Sequence, residues 1–231
     1  MSETPPVYRV EPASARRHPM PFTRLEIAVL GLIDGRLNVL LVRRAQAPHT
    51  GRWALPGGAL RIDLDRSLDD AAMRVMQERL GARLPFLRQL LAVGGPTRDE
   101  RAPWALSIVY RGMSHPESLP ATPGKRVAAL AWRPVDDVKD DRTMAFDHAA
   151  LIAQAVAATR LEVEQLQLPA GYLPEEFTLG ELQVICEQVL GRPLDKSSFR
   201  RKLADRGLVS PIEGAWRWGA NRPAQMYRLA Q

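Results

Sequence analysis

The stretch WALPGGALRIDLDRSLDDAAMRVMQERLGA, residues 53–82, gathers side chains suited to chemistry. Its carboxylates are Asp63, Asp65, Asp69, Asp70 and Glu78, and its guanidiniums include Arg61, Arg74 and Arg79. A hard cation such as Mg²⁺ takes several oxygen ligands at once, so carboxylates at fixed spacing are what hold one in place. The scaffold for them reads as a Gly57-Gly58 turn, an acidic loop and one short helix. Ser67 is a good N-cap, Asp70 three residues later gives a near capping box, and Gly81 sits where a C-cap glycine belongs. Ala71, Ala72, Val75 and Met76 fall on one face of this helix, while Arg74 and Glu78 are four residues apart and can pair.

A second set of polar side chains lies near the C-terminus. Thr178 with Glu181 makes a capping box ahead of an apolar stripe of Leu179, Leu182, Ile185, Cys186 and Val189, and Gly191 ends that helix. Pro193 breaks the chain and Asp195 caps a second helix, on which Phe199, Leu203 and Leu208 face inward. Lys196, Ser197, Arg200, Arg201 and Lys202 remain for its outside, with Arg206 at the end, and Ser198 joins Ser197 among the candidate contacts. Residues 209–227 follow as two short strand-like pieces about a turn, with Trp216 and Trp218 alternating. Helix, tight turn, basic helix and hairpin is the order of a winged helix-turn-helix. In such a module the serines reach base edges or phosphates, and arginines reach phosphates or guanine. The wing would bring Arg217 or Arg222 to the DNA backbone. A basic helix can also be no more than a solvated face; the capping box, the tight spacing and the hairpin argue against that here.

The rest of the chain supplies strands. Residues 25–33 and 37–42 read as strands joined by the hairpin signal Asp34-Gly35, and Arg43 and Arg44 end the second. Residues 87–93, 104–110 and 127–132 read as further strands, with Pro134 ending the last. Arg98, Asp99 and Arg101 lie in the turn-rich loop 94–103, which can border a pocket or be a solvated turn. Residues 146–160 have helical spacing, with Asp147 and His148 near the start; a lone histidine there is most often a surface or capping residue. Residues 1–22 have no periodicity and read as a flexible tail, with Arg16 and Arg17 offering a minor basic arm. Residues 23–168 and 169–231 then make two domains, with the boundary near Leu168.

Bulk properties agree with this division. The 231 residues are 45% hydrophobic and 25% charged, ordinary values for a globular protein. A net charge of +6 makes a polyanionic partner reasonable without requiring one. Cys186 stands alone, so no intrachain disulfide is available, and with no signal peptide evident the expectation is cytoplasmic. No apolar run is long enough to span a membrane.

Residues 53–82 resemble the Nudix box, a pattern of Gly, five residues, Glu, seven residues and R-E-U-x-E-E-x-G-U, with U aliphatic. WALPGG, Ala71, Ala72, Arg74, Glu78 and Gly81 match it. Val75 and Arg79 stand where two glutamates belong, and the spacer after Gly58 carries two extra residues, leaving Asp63, Leu64 or Asp65 at the remaining glutamate place. In Nudix enzymes these carboxylates hold Mg²⁺ or Mn²⁺ against a diphosphate. The departures therefore imply a retained scaffold without catalytic residues, metal or cofactor. The resemblance implies a ligand pocket drawing on Arg43, Arg44, Gly57, Gly58, Arg61, Arg74, Glu78 and Arg98.

Leu173 to Gln183, Leu190 to Lys202 and Asn221 to Arg228 resemble the NrtR family of Nudix-related regulators, and that resemblance covers nearly the whole chain from about Thr23. It implies an α/β fold, a Nudix-type α/β/α sandwich followed by a small winged helix-turn-helix. It also implies a homodimer on a palindromic double-stranded operator near genes of NAD synthesis or salvage, released by ADP-ribose. Related regulators of sugar use leave a phosphorylated sugar open as effector. An active hydrolase with a displaced metal site at Glu78, Asp63, Asp65, Asp69 and Asp70 also stays open, as does a Nudix-like domain that only dimerises.

Overall fold

The computed structural model describes residues 20–84, 86–138, 140–167, 172–218 and 223–230. Most of the expected tail, the boundary near Leu168 and Arg222 lie outside these residues. The chain opens on two long strands, β1 (Phe22–Ile33) and β2 (Arg36–Arg44), joined at Asp34-Gly35. Both turn residues take positive φ, 49° and 74°, which the twist of a two-residue hairpin demands. Next come β3 (Trp53–Ala54), β4 (Gly57–Ala59) and helix α1 (Leu68–Leu80). The strands β5 (Arg88–Gly95), β6 (Ala105–Met113) and β7 (Val127–Pro134) complete the sheet, followed by α2 (Val135–Val138) and α3 (His148–Glu164). The strand order is β3-β2-β1-β6-β5, with β4 also on β1 and β7 also on β2. β1 and β6 run parallel, and the other pairs are antiparallel.

β1 is apolar almost throughout because both its faces are covered. Successive side chains point to opposite faces. Leu25, Ile27 and Val29 join the core beneath α1, while Ala28 and Leu30 join the core that holds α3. Helices on both faces of one sheet make this an α/β/α sandwich. Helix α1 forms as its sequence requires: Ser67 Oγ accepts from the Asp70 amide at 3.0 Å, and Ala71, Ala72, Val75, Met76 and Leu80 are buried.

The remaining elements are β8 (Phe177–Thr178), α4 (Leu179–Leu190), α5 (Lys196–Asp205), β9 (Val209–Arg217) and β10 (Ala224–Leu229). Strands β8-β10-β9 form a small sheet beside the two helices, a winged helix-turn-helix. The capping box is complete: Thr178 Oγ1 accepts from the Glu181 amide at 3.2 Å, and Glu181 Oε2 accepts from the Thr178 amide at 2.8 Å. Asp195 caps α5 through the Ser198 amide at 2.8 Å. Cys186 is buried in α4, and burial pushes its thiol up to about 12, so it packs as a small apolar side chain.

The two parts do not have separate cores. Leu182, Cys186, Val189, Phe199 and Leu203 belong to the same apolar cluster as Leu37, Leu151, Val156 and Val163. Each large side chain of that kind contributes about 1.5–3 kcal/mol on burial. Polar ties reinforce the seam: Arg160 Nε donates to the Val189 carbonyl at 3.0 Å, Arg206 to the Gln165 carbonyl at 2.6 Å, and Arg192 pairs with Glu164 at 2.6 Å.

Two features differ from the sequence reading. β3 and β4 are two and three residues long, too short to leave a periodic signal. The chain also continues past Pro134 directly into α2, where only a strand end was expected.

Candidate functional site

Two charged residues sit on an otherwise apolar strand. Arg24 and Glu26 of β1 share the face toward α3, and both are buried. Arg24 Nε donates to Glu26 Oε1 at 2.7 Å. Burial works against the Arg24 charge, yet the Glu26 carboxylate holds its basicity above the ordinary value. Glu26 Oε2 has no hydrogen-bond partner among the described residues. It lies 3.7 Å from Nε2 of His148, the first residue of α3. His148 Nδ1 accepts the Leu55 amide hydrogen at 2.9 Å, which puts the ring proton on Nε2. Burial, then repulsion from Arg24, pushes His148 down to about 3, so the ring is neutral.

Around this buried group the fold gathers five guanidiniums from five segments. Arg24 of β1, Arg44 of β2, Arg79 of α1, Arg101 of the β5–β6 loop and Arg126 before β7 line one cleft of about 40 Å³, floored in part by Gly57. Arg24 and Arg101 are paired, with Glu26 and Asp99. Arg44, Arg79 and Arg126 make no ion pair among the described residues. Burial, then repulsion from Arg24 and Arg101, lowers Arg44 to about 10. Burial also lowers Arg79, with Arg126 and Arg24 adding to the repulsion. The Phe146 ring lies beneath the guanidiniums of Arg24, Arg44 and Arg101 at 5.7, 5.0 and 5.9 Å, and His49 meets it edge-on at 4.6 Å. Phe146 holds φ at +55°, a conformation that a bulky residue keeps only where its surroundings enforce it. Beyond the ring an open groove of about 540 Å³ is lined by His49, Gly94, Gly95, Arg98 and Phe146 among others. A surplus of cationic charge beside an aromatic face suits a phosphorylated ligand with a planar group.

The expected pocket residues divide. Arg44 and Gly57 line the cleft, and Arg98 borders the groove, where it pairs with Asp147 and donates to Ser107 Oγ at 3.1 Å. Gly58 lies against Val75, which a Cβ at Gly58 would meet at 2.8 Å. Arg43 points away along the strand, exposed, and donates to the Gly51 carbonyl at 3.1 Å. Arg61 is exposed and pairs with Asp63 at 2.6 Å. Arg74 grips Asp65 through two bonds of 2.6 and 2.7 Å, and its i,i+4 partner Glu78 lies 3.3 Å away. Gly58, Arg43, Arg61, Arg74 and Glu78 thus do not line the cleft, the four side chains being engaged with the partners just named. Arg24, Glu26, Arg79, Arg126 and Phe146 belong to the site without a motif along the chain to mark them as such. Arg24 and Glu26 carried a signal, since two charges on one face of an apolar strand must find each other or a ligand.

The residues at the metal positions of the Nudix pattern do not fit a divalent cation. Val75 is fully buried against the sheet. Arg79 puts a guanidinium where a carboxylate belongs, donating to the Gly57 carbonyl at 2.8 Å and the Lys125 carbonyl at 2.7 Å. Glu78 and Asp65 are committed to Arg74, Asp63 to Arg61, and Asp69 accepts from the Tyr110 hydroxyl at 2.6 Å. Among the described residues no three His, Cys, Asp or Glu side chains are grouped to hold a metal ion.

On the winged helix, Lys196, Ser197, Arg200, Arg201 and Lys202 of α5 are exposed, and none of the four cations pairs with a carboxylate among the described residues. Ser198 is half-buried; with Lys202 it lines a cavity of about 420 Å³ facing the end of α3. Arg217, expected to reach DNA from the wing, instead pairs with Glu181 at the start of α4, because β9 turns that side chain toward the helix. Arg222 lies outside the described residues.

A Nudix-type sandwich with an arginine-lined cleft, sharing its core with a winged helix-turn-helix, defines a class of two-part proteins. Comparison with known proteins agrees. The model of the NrtR DNA-binding winged helix domain matches residues 169–229, and that of the NUDIX domain matches residues 23–155. The ADPR responsive transcriptional repressor NtrR of Acinetobacter baylyi is 32% identical over 217 residues, covering 92% of this chain and 84% of that protein. The crystal structure of Shewanella oneidensis NrtR complexed with a 27mer DNA aligns at TM-score 0.74 and 32% identity, covering 90% of this chain and 93% of that one. The NUDIX domain of the same Shewanella protein complexed with ADP ribose aligns at TM-score 0.55 and 30% identity, covering 62% and 90%. The chain belongs to the NrtR family.

Proposed function

We propose that this chain is a transcriptional repressor that binds operator DNA through α5 and its wing and lets go when ADP-ribose occupies the arginine-lined cleft. One observation carries the reading: the cleft keeps a surplus of guanidiniums for a diphosphate while Val75 and Arg79 stand at the positions of the metal-binding glutamates. Such a site is equipped to bind and not to hydrolyse. The exposed cations of α5 supply the DNA-binding half, and the repressor and DNA-bound relatives support it. Division into an effector part, residues 23–168, and a DNA-binding part, residues 169–231, belongs to this proposal. So do the homodimer, the palindromic operator and target genes in NAD synthesis or salvage.

Helix α3 supplies the connection between the sites. It starts at the cleft, where His148 lies under Glu26 and Asp147 pairs with Arg98, and it ends at the Arg160, Glu164 and Gln165 contacts with the DNA-binding part. Seventeen helical residues span about 25 Å. A ligand that favours one setting of this rod shifts the placement of α5, and a typical coupling of about 1–3 kcal/mol weakens DNA binding roughly 5–150-fold. Two recognition helices in a dimer must match half-sites of fixed spacing, so a small shift suffices.

The test is binding of the purified protein to its own upstream intergenic DNA, with and without ADP-ribose, at fixed salt. Specific binding lost on adding ADP-ribose is the expected result. Specific binding indifferent to ADP-ribose would overturn the effector and turn attention to phosphorylated sugars. Turnover of ADP-ribose with Mg²⁺ would overturn the non-enzymatic reading.

A further inference from the structure

We infer that Arg79 replaces the divalent cation of the Nudix pattern, so that the cleft takes a diphosphate ester in its metal-free form. The inference rests on the proposed effector reading and concerns how that site neutralises charge.

Arg79 does not hang in solvent. Two backbone carbonyls, those of Gly57 and Lys125, hold its guanidinium on either side at 2.8 and 2.7 Å, and the group lines the cleft with Arg44 and Arg126. Its neighbour on the helix, Val75, fills the other metal-ligand position with apolar bulk packed on Gly58. A cation entering there would meet three guanidiniums with no ion pair among the described residues, and no group of carboxylates among them. A diphosphate meets the opposite situation. Its negative charges offset cations that burial and mutual repulsion already disfavour. The arginine fork also matches phosphate geometry bidentately, which a spherical ion does not require. Size is consistent. A water-sized group needs roughly 10–15 Å³ of such space, so the cleft of about 40 Å³ takes one phosphate group of the diphosphate and the other reaches outward. The nucleoside ends are left for the larger groove beyond Phe146.

A metal-dependent site and this one answer Mg²⁺ with opposite signs. In a metal-dependent site added Mg²⁺ strengthens binding. Here it sequesters the ligand in solution and weakens apparent affinity.

The experiment is calorimetric titration of the full chain with ADP-ribose and, separately, with inorganic pyrophosphate, each in EDTA and in Mg²⁺. Expected is binding of both ligands in EDTA, unchanged or weakened by Mg²⁺, and reduced about tenfold or more in Arg79→Gln. Arg79→Lys keeps the charge without the fork and should fall between; it serves if the glutamine variant fails to fold. Binding of either ligand only in the presence of Mg²⁺ would overturn the inference while keeping the effector reading. Pyrophosphate binding in EDTA without ADP-ribose binding would overturn the effector and keep the role of Arg79. Binding of neither ligand under any condition would overturn both.

Discussion

Gly57 leaves no room for a side chain beside Glu26: a Cβ on Gly57 would lie 1.8 Å from Glu26 Oε2. β4 pairs with β1 at this point, Gly57 opposite Glu26, so neither backbone can yield without breaking the ladder. Gly57→Ala should therefore displace the Glu26 carboxylate, and with it Arg24 and the geometry of the cleft. Overpacking of this kind costs about 1–3 kcal/mol. Thermal melting should show a lowered midpoint together with loss of the rise caused by ADP-ribose. A variant that melts lower and still gains full stabilisation from ligand would mean that Glu26 plays no part in shaping the cleft.

His148 gives the fold a pH signature. Its folded value is pushed down to about 3, whereas the unfolded chain titrates it near the ordinary value of about 6.5. Between those values the unfolded state binds a proton that the native state refuses, so stability must fall as pH falls below 6.5. One proton is worth about 1.4 kcal/mol per pH unit. Most carboxylates have yet to titrate between pH 6.5 and 5, so chemical denaturation there should show about that slope. His148→Gln should flatten it. An unchanged slope in the variant would assign the effect to other groups.

The two sites should separate by mutation. Arg200→Ala or Arg201→Ala should weaken operator binding by about 1–3 kcal/mol where a base is read, or lower the salt slope by about one where a phosphate is held. Ligand affinity should not change. Arg44→Ala should do the reverse and lower ligand affinity about tenfold or more, since a partly buried charged hydrogen-bonding group is lost. Arg61→Ala is the control: paired with Asp63 and exposed, it should change neither. Gel-shift and calorimetric titrations of the same preparations would check all four, and a defect in both activities from either set would break the division of labour.

Arg160 tests the connection. Its bond to the Val189 carbonyl joins α3 to α4, and Arg160 lines neither the cleft nor the exposed face of α5. Arg160→Ala should leave ADP-ribose binding and DNA binding near normal while reducing the factor by which one weakens the other. Because coupling is reciprocal, DNA should also lose part of its effect on ADP-ribose affinity. Full mutual antagonism in this variant would place the connection elsewhere.

Much of the fold was legible because its signals are local. The caps of α1, α4 and α5 and the Asp34-Gly35 turn depend on residues two to four positions apart, and each appears where the sequence puts it. The cleft is different. Arg24, Arg44, Arg79, Arg101 and Arg126 meet only because β1, β2 and α1 pack as they do, and no spacing along the chain announces it. Arg43 and Arg44 make the point on a small scale. Adjacent residues on a strand face opposite ways, so one of them had to miss the cleft, and only the register of β2 decides that it is Arg43. Likewise Arg217 reads as available for DNA along the chain, and only the fold brings it to Glu181 at the start of α4.

The continuous apolar seam sets a rule for recombination. Leu37 and Val163 on one side and Leu182, Val189 and Phe199 on the other are interlocked in one cluster, so the chain is not a pair of interchangeable modules on a tether. A chimera that grafts the winged helix of one relative onto the sandwich of another must transplant the facing side chains of α3 and β2 as well. Grafted without them, each half would present an oily, ill-matched flank to its neighbour, and the hybrid would be selected against for insolubility before specificity came into play. On the proposed reading of the operator by α5, new operator preferences are therefore most accessible through point changes on the exposed face of that helix, leaving the seam intact.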